Sequence, residues 1–272
     1  MTLSGMKDTK RAILVVSFGT SYIDSCDRTI GAIEKAIAGA FPEYEVRRTF
    51  TSQFIINKLK MRDGLDIDNV KEALDRAVRD HIQILIVQPT HLMEGYEYTE
   101  LVGVLKRYEN KFDQMILGTP LLTDDRDFEC VIRTITEATA VYDDGHTAIC
   151  LMGHGTGADA NHVYTLLQEK LESAGFENYY IGTVEADPSL EHVIGRVNGK
   201  GLYKKIILQP LMVVAGDHAS KDMAGDGEDS WRSRFESEGY EVKCIFRGLG
   251  EFEKIQNLYI AHIHASVDSL VK

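Results

Sequence analysis

The sequence predicts an α/β fold of two similar lobes, each a four-stranded parallel sheet flanked by helices. Two observations favour this class: short apolar runs alternate with longer segments of helical period, and the two halves of the chain repeat each other's turn sequences. The chain has 272 residues, of which 44% are hydrophobic. That is enough apolar material for one large or two modest cores.

Eight apolar runs are predicted as strands, each about as long as a strand that is buried on both faces. In chain order they are Ala12–Ser17, Glu45–Phe50, Ile82–Gln88, Gln114–Leu117, Thr147–Met152, Tyr179–Val184, Lys205–Gln209 and Glu241–Phe246.

Helices are predicted between these runs. Ile30, Ile33 and Ile37 recur at helical spacing, and residues 251–270 form a long closing helix. Asp187 followed by Pro188 predicts a helix start, with Asp187 as the N-cap and proline in the first helical position.

An internal repeat sets the expected domain organisation. Residues 17–20 (SFGT) follow the first strand as residues 153–156 (GHGT) follow the fifth, and Gln-Pro recurs at 88 and 209, an offset of 121. This predicts an N-terminal lobe over 1–142 and a C-terminal lobe over 143–272, with the closing helix free to pack back on the first lobe. Because ligands of parallel sheets lie beyond the carboxyl ends of the strands, the site is expected in a cleft between the lobes.

Charge and cysteine usage exclude several classes of protein. The net charge of −12 disfavours a nucleic-acid or anionic-membrane partner. Four scattered cysteines with no CxxC pair indicate neither a disulfide framework nor a thiolate zinc site. With no signal-peptide core and no run of about 18 apolar residues, a cytoplasmic protein is expected.

Three polar residues follow consecutive strands of the second half, which makes them candidate metal ligands or proton carriers. His154 lies between glycines after the fifth strand, Glu185 ends the sixth run, and His218 follows the seventh. Imidazole and carboxylate suit a borderline ion such as cobalt, nickel, zinc or iron. The alternative is that each histidine is simply a hydrogen-bonded or exposed loop residue.

Two other chemistries are possible at these loops. Residues 153–157 (GHGTG) before a helix could cradle a phosphate, although the lysine of a Walker loop is absent. Ser17 and Ser21 near His91 could form a hydrolase triad, but there is no GxSxG elbow.

An anionic ligand has a candidate binding segment in residues 47–62, which hold five basic side chains and no Asp or Glu. The alternative is a solvated helix face. His91 is expected to face the cleft from the first lobe, as a substrate contact or a loop residue bonded to backbone. The acidic run Asp222, Asp226, Glu228 and Asp229 is interpreted as a solvated loop.

Several strings together resemble a known family: residues 14–22 (LVVSFGTSY), 152–155 (MGHG), 184–185 (VE), 211–219 (LMVVAGDHA), 222–224 (DMA) and 229–231 (DSW). They are similar to the anaerobic cobalt chelatase of cobalamin synthesis, a class II tetrapyrrole chelatase. The resemblance implies a chelatase-like fold similar to ferrochelatase, and insertion of Co(II) into sirohydrochlorin without ATP, an accessory subunit or a cofactor beyond the substrate metal. Fe(II) or Ni(II) could replace cobalt.

The resemblance also implies roles for the site residues. His154, His218 and Glu185 match the family's two active-site histidines and its acidic partner, as catalytic residues and metal ligands. The eight carboxylates of sirohydrochlorin would be bound by the basic segment and the loop after the first strand, with expected contacts at Ser17, Thr20, Ser21, Arg47, Arg48, Lys58, Arg62 and His91. A homo-oligomer is possible. A non-catalytic metal or tetrapyrrole carrier, and an iron or nickel chelatase, are the alternatives.

Overall fold

The structure, a computed structural model, describes residues 9–270. It contains two four-stranded sheets in which every pairing is parallel. The strands are β1 (Arg11–Ser17), β2 (Glu45–Phe50), β3 (Ile84–Pro89), β4 (Gln114–Leu117), β5 (Thr147–Gly153), β6 (Tyr179–Thr183), β7 (Lys205–Pro210) and β8 (Glu241–Cys244). All eight predicted strands are therefore present, with ends that move by one or two residues.

Helices join the strands as crossover connections, as parallel pairing requires. They are α1 (Ile23–Arg28), α2 (Ile30–Ala40), α3 (Gln53–Asp63), α4 (Val70–Arg79), α5 (Tyr96–Leu105), α6 (Asp125–Thr139), α7 (His162–Ser173), α8 (Leu190–Lys200), α9 (Trp231–Ser237) and α10 (Glu253–Leu270). No helix in the described range is long and apolar enough to cross a bilayer.

The two sheets have the same topology. The strand order is β2-β1-β3-β4 in the first and β6-β5-β7-β8 in the second, so the repeat of turn sequences corresponds to a repeat of fold. Each sheet is covered by helices, and all seven residues of β5 are buried. This is the burial expected of a central parallel strand, and it explains why such central strands appear in the sequence as apolar runs, whereas the edge strands β2 and β8 carry charged residues.

The described residues divide into two compact units, 9–121 with 256–270 and 122–255. This division differs from the boundary expected at 142/143. Helix α6 packs against α7 of the second unit, since Phe128, Val131 and Ile135 are buried and Lys170 pairs with Asp125 at 2.8 Å.

Helix α10 returns to the first unit for most of its length. Tyr259 and Ile263 are fully buried, and the Tyr259 hydroxyl donates to the Thr90 carbonyl at 2.9 Å. The ring of His264 lies 4.5 Å from that of Phe41, centroid to centroid. Residues from the end of the chain thus complete the core of the unit that begins it.

The start of α8 differs from the prediction. Its N-cap is Ser189, whose hydroxyl accepts from the His192 amide at 3.3 Å, rather than Asp187. Asp187 and Pro188 instead close the loop after β6: the Asp187 carbonyl accepts from the Asn161 side chain, and the Pro188 carbonyl accepts from the Thr183 amide at 2.7 Å.

Candidate metal centre

His154, Glu185 and His218 come together at the carboxyl edge of the second sheet. Each offers one ligand atom, and these three atoms all lie within 4.8 Å of one another. The register explains why they meet: Gly153 at the end of β5 is level with Thr183 of β6, and Met152 is level with Pro210 of β7. Residues that leave three adjacent strands at one level necessarily project at one edge.

Two glycines hold His154 in place. A Cβ atom on Gly153 would lie 2.3 Å from the Tyr164 ring. Gly155 has φ +87°, and a Cβ there would lie 2.8 Å from Thr183 Oγ1. The Gly-His-Gly sequence is thus required by close packing and by a left-handed backbone, not only by the chemistry of the histidine.

The protonation pattern of the His154 ring follows from its partner. Its Nδ1 lies 2.8 Å from the Gly155 carbonyl, which can only accept, so Nδ1 carries the hydrogen. In the neutral ring the lone pair is then on Nε2, which lies 3.8 Å from Glu185 Oε1. His154 therefore presents an acceptor nitrogen to the shared site.

Backbone hydrogen bonds tie Glu185 to His154. The amides of Val184 and Glu185 donate to the His154 carbonyl at 3.2 and 2.9 Å. The side chain of Glu185 is 57% exposed and that of His154 is 39% exposed, so an ion from solvent can reach both. The carboxylate is thus placed beside the imidazole by the main chain while remaining accessible.

His218 is supplied by the long loop after β7, and a second loop braces that loop. The amides of Leu249 and Gly250 donate to the carbonyls of Met212 and Val213 at 2.8 and 3.0 Å. A Cβ on Gly248 would lie 2.5 Å from the Val213 carbonyl oxygen, so the two loops are in direct backbone contact.

Asp222 is a neighbour of the site, so the interpretation of the acidic run as a solvated loop is wrong for this residue, whereas Asp226, Glu228 and Asp229 are exposed. Oδ2 of Asp222 lies 2.7 Å from Nδ1 of His218. The signal in the sequence was the spacing, because residues four apart share a helix face. Asp226, by contrast, is fully exposed and pairs with Arg232.

The loop of residues 153–157 is not built as a phosphate cradle. A short helical turn, Asp159–Asn161, separates it from α7. Two of its amides already have partners, since Gly155 donates to the Tyr164 hydroxyl at 3.3 Å and Thr156 donates to Asn161 Oδ1 at 3.0 Å.

The predicted substrate residues after β1 and β3 lie at the carboxyl edge of the first sheet. Ser17, Thr20 and Ser21 are buried, and Ser17 Oγ accepts from the Thr90 hydroxyl at 2.8 Å. Both ring nitrogens of His91 are inaccessible to solvent and have no hydrogen-bond partner among the described residues. Ser17 and His91 therefore do not form the serine–histidine bond of a hydrolase triad.

Burial fixes the charge state of His91. It lowers the pKa of the ring to about 4, and the nearby Glu97 carboxylate offsets only part of this effect. His91 is therefore neutral at physiological pH.

The basic segment is largely neutralised by carboxylates of the first unit. Each of four cations has an acidic partner within 3 Å: Arg47 pairs with Glu45 and Asp80, Arg48 with Glu34, Lys60 with Asp66, and Arg62 with Asp63. Arg62 also donates to the Ser21 carbonyl at 2.6 Å. Among all residues that the structure describes, Lys58 has no ion pair.

Solved structures share the fold of this chain. A solved structure, SirB from Bacillus subtilis with Fe³⁺, superposes with a TM-score of 0.64 at 13% identity, covering 97% of this chain and 98% of that one. This similarity shows the fold. A second solved structure is that of CbiX, described as the terminal enzyme for biosynthesis of siroheme in denitrifying bacteria. It superposes with a TM-score of 0.57 at 16% identity, covering 94% of this chain and 99% of that one.

Sequence comparison identifies the family. The family model described as "Cobalt chelatase (CbiK)" matches residues 11–268, and the chain belongs to this family. It is 35% identical to the sirohydrochlorin cobaltochelatase of Salmonella typhimurium, covering 97% of this chain and 98% of the relative. It is 29% identical to sirohydrochlorin cobaltochelatase CbiKC of Nitratidesulfovibrio vulgaris, covering 96% and 92%. The resemblance noted in the sequence motifs is therefore confirmed.

Proposed function

We propose that this protein inserts Co(II) into sirohydrochlorin. The observation that carries the proposal is the convergence of His154, Glu185 and His218, whose ligand atoms lie within 4.8 Å of one another, in a member of the cobalt chelatase family. The names of the two relatives support the same macrocycle and the same metal.

The reaction releases two protons for each ion inserted. The ion must lose bound water, and the macrocycle must give up two pyrrole N–H protons as its four nitrogens bind the metal. Neutral imidazole can ligate a late divalent ion or accept a proton near neutral pH, and a carboxylate balances the positive charge of the ion or of an imidazolium. His154, His218 and Glu185 can therefore both ligate the ion and accept the pyrrole protons.

We assign His154 as principal base and metal contact, His218 as second ligand or proton acceptor, and Glu185 as ligand or orienting group. Metal–ligand bonds of about 2.1 Å place two ligands of one ion at most about 4.2 Å apart. Small rotations of these half-exposed side chains would bring the ligand atoms within that range. Three protein ligands also leave coordination positions open, through which the ion can pass to the macrocycle.

Three further features remain proposals of the same kind. No cofactor beyond the substrate metal is required, because the insertion exchanges one divalent ion for two protons with no change of oxidation state. Independence of ATP is part of the same proposal. The carboxylates of sirohydrochlorin are bound by the first unit, and Lys58 is the cation of the basic segment proposed to bind them because its charge has no acidic partner among the described residues. The protein works in the cytoplasm.

An anaerobic absorbance assay tests the proposal. Purified protein is mixed with sirohydrochlorin and excess Co(II), and the native protein is compared with His154→Ala, His218→Ala and His192→Ala. His192 is an exposed histidine of α8 and serves as the control. We expect many turnovers by the native protein and by the control, and a rate of Co(II) insertion lower by about 100-fold or more in the two site variants.

Saturation at one equivalent of metallated product per chain would indicate a carrier instead. Site variants as fast as the native protein would exclude this metal centre. Parallel reactions with Fe(II) and Ni(II) identify the preferred metal, because affinity of a nitrogen and oxygen site among these ions follows the metal as much as the protein.

A further inference from the structure

We propose that Asp222 is a positioning residue of the metal centre: its carboxylate holds His218 in the tautomer and ring orientation that present the Nε2 lone pair to the substrate ion. The inference rests on the proposed function, because it names what orients one of the proposed ligands.

The hydrogen bond determines the tautomer. Oδ2 of Asp222 lies 2.7 Å from Nδ1 of His218, a short distance typical of a bond to a charged acceptor. An ionised carboxylate only accepts, so Nδ1 donates, and in the neutral ring Nε2 is left with the lone pair. A carboxylate on the far nitrogen of a metal-binding histidine fixes its orientation and strengthens its donation to the metal.

The backbone gives this contact a fixed frame. Asp217 and His218 begin a helical segment that continues as one π-helical turn, Ala219–Met223, and places Asp222 four residues after His218. Ala219 and Met223 are fully buried in the core of the second unit and anchor the turn. Lys221, the nearest cation on the same turn, pairs with Asp217 at 3.0 Å.

The two imidazoles of the site are therefore held differently. His154 donates to a neutral carbonyl of the adjacent residue, whereas His218 donates to a carboxylate. Of the two, His218 is the ligand whose orientation and donor strength depend on a side chain that can be changed without altering the loop backbone.

Asp222→Asn is the first test. Asparagine has the same shape, but it can turn its amide NH₂ toward Nδ1, which would favour the opposite tautomer. Co(II) is titrated into the metal-free protein without macrocycle, and binding is followed by the visible absorption of the bound ion. We expect affinity to fall about 10–100-fold, and the KM for Co(II) to rise accordingly, with the KM for sirohydrochlorin unchanged.

Asp226→Asn is the matched control, since it removes the same charge from the same segment at a fully exposed residue that pairs with Arg232. Its Co(II) affinity should stay within about twofold of native. Equal weakening in both variants would attribute the effect to long-range charge and overturn the inference. Native affinity in Asp222→Asn would also overturn it.

A second readout does not depend on metal. In protein labelled with ¹⁵N-histidine at about pH 8, the native His218 ring should carry its hydrogen on Nδ1, and Asp222→Asn should shift this to Nε2; His218→Ala assigns the signals. Asp222→Glu keeps a carboxylate and should retain the Nδ1–H form, which allows a test even if the asparagine variant is unstable. An Nε2–H ring in the native protein would contradict the inference.

The assay also separates this inference from the proposed function. If His218→Ala abolishes turnover and Asp222→Asn changes nothing, only the positioning role fails. If His218→Ala itself retains Co(II) binding and turnover, the proposed metal centre fails.

Discussion

The imidazole rings of His154 and His218 meet edge to face, with centroids 4.7 Å apart and planes at 89°. At this separation one nitrogen of each ring can reach a shared ion, since the ligand atoms of the site all lie within 4.8 Å of one another. The arrangement depends on backbone: one ring follows β5 between glycines, and the other begins the helical turn after β7.

The charge of Glu185 is predicted to matter more than its shape. Glu185→Gln keeps the size of the side chain but removes the negative charge beside the ion, and we expect Co(II) affinity to fall about tenfold or more. The same titration of metal-free protein measures it. Glu191→Gln, at an exposed carboxylate paired with Arg234, should bind like the native protein. Equal affinity in both variants would remove Glu185 from the ligand set.

Gly155→Ala is predicted to lower both stability and activity. The residue has φ +87°, and its new Cβ would meet Thr183 Oγ1 and the Ala186 amide at 2.8 and 2.9 Å. We expect a loss of about 1–3 kcal/mol, a Tm lower by several degrees, and slower chelation because the backbone of His154 is displaced.

Gly195→Ala provides the comparison. Gly195 lies within α8 and a Cβ there meets nothing within 4 Å, so alanine should stabilise the helix by up to about 1 kcal/mol and leave chelation unchanged. A Gly155→Ala protein that melts like the native one would show that the left-handed backbone at this position is not required.

His91 is predicted to make stability fall in acid. The unfolded chain binds a proton at this histidine below about pH 6.5, but the folded protein resists until its lowered pKa of about 4. The unfolded state therefore binds more protons in this window, and the free energy of unfolding decreases as pH falls from about 6.5 to about 4, by at most about 3 kcal/mol from this residue.

Urea unfolding at several pH values tests this effect. His91→Phe removes the titration and retains an aromatic ring, so its stability should depend less on pH across this window. His192→Gln, at an exposed histidine, should retain the native slope. An unchanged slope in His91→Phe would mean that the buried ring does not resist protonation.

Arg48 and Lys58 are predicted to have different roles: Arg48 stabilises the first unit, and Lys58 binds substrate. Arg48→Met breaks a bidentate pair with Glu34 at 2.8 and 2.6 Å, so it should cost about 1–3 kcal/mol of stability and leave the KM for sirohydrochlorin within about twofold. Lys58→Met should leave stability nearly unchanged and raise this KM about three- to fivefold. Thermal melts and steady-state kinetics measure both effects, and the reverse pattern would restore Arg48 as a substrate contact.

The strands and the candidate metal centre were predictable because both depend on short-range signals. The central parallel strands are apolar runs, and residues that follow adjacent strands of one sheet meet at its edge. His154, Glu185 and His218 could therefore be placed together from the sequence alone, before their distances were known.

Side-chain partners were harder to predict because they join residues that are distant in the chain. Arg48 binds Glu34 and Arg47 binds Asp80, so a segment that looks strongly basic carries little unpaired charge. The apolar face of α6 predicts that the helix is packed against other elements, but the sequence does not indicate to which of the two units it belongs. The bond between Asp222 and His218 is an exception, because residues four apart on a helical turn lie on one face and the spacing indicates the pair.

The first unit is completed by residues from the end of the chain, and this limits the order in which the two units can fold during synthesis. Residues 122–255 form one uninterrupted stretch, whereas the first unit also includes residues of α10, from 256 onward. The unit that leaves the ribosome first cannot cover its core until Tyr259 and Ile263 emerge, after every residue of the other unit has been made. The part that carries the metal ligands is thus the first for which all residues are available, and the N-terminal part is the last to be completed.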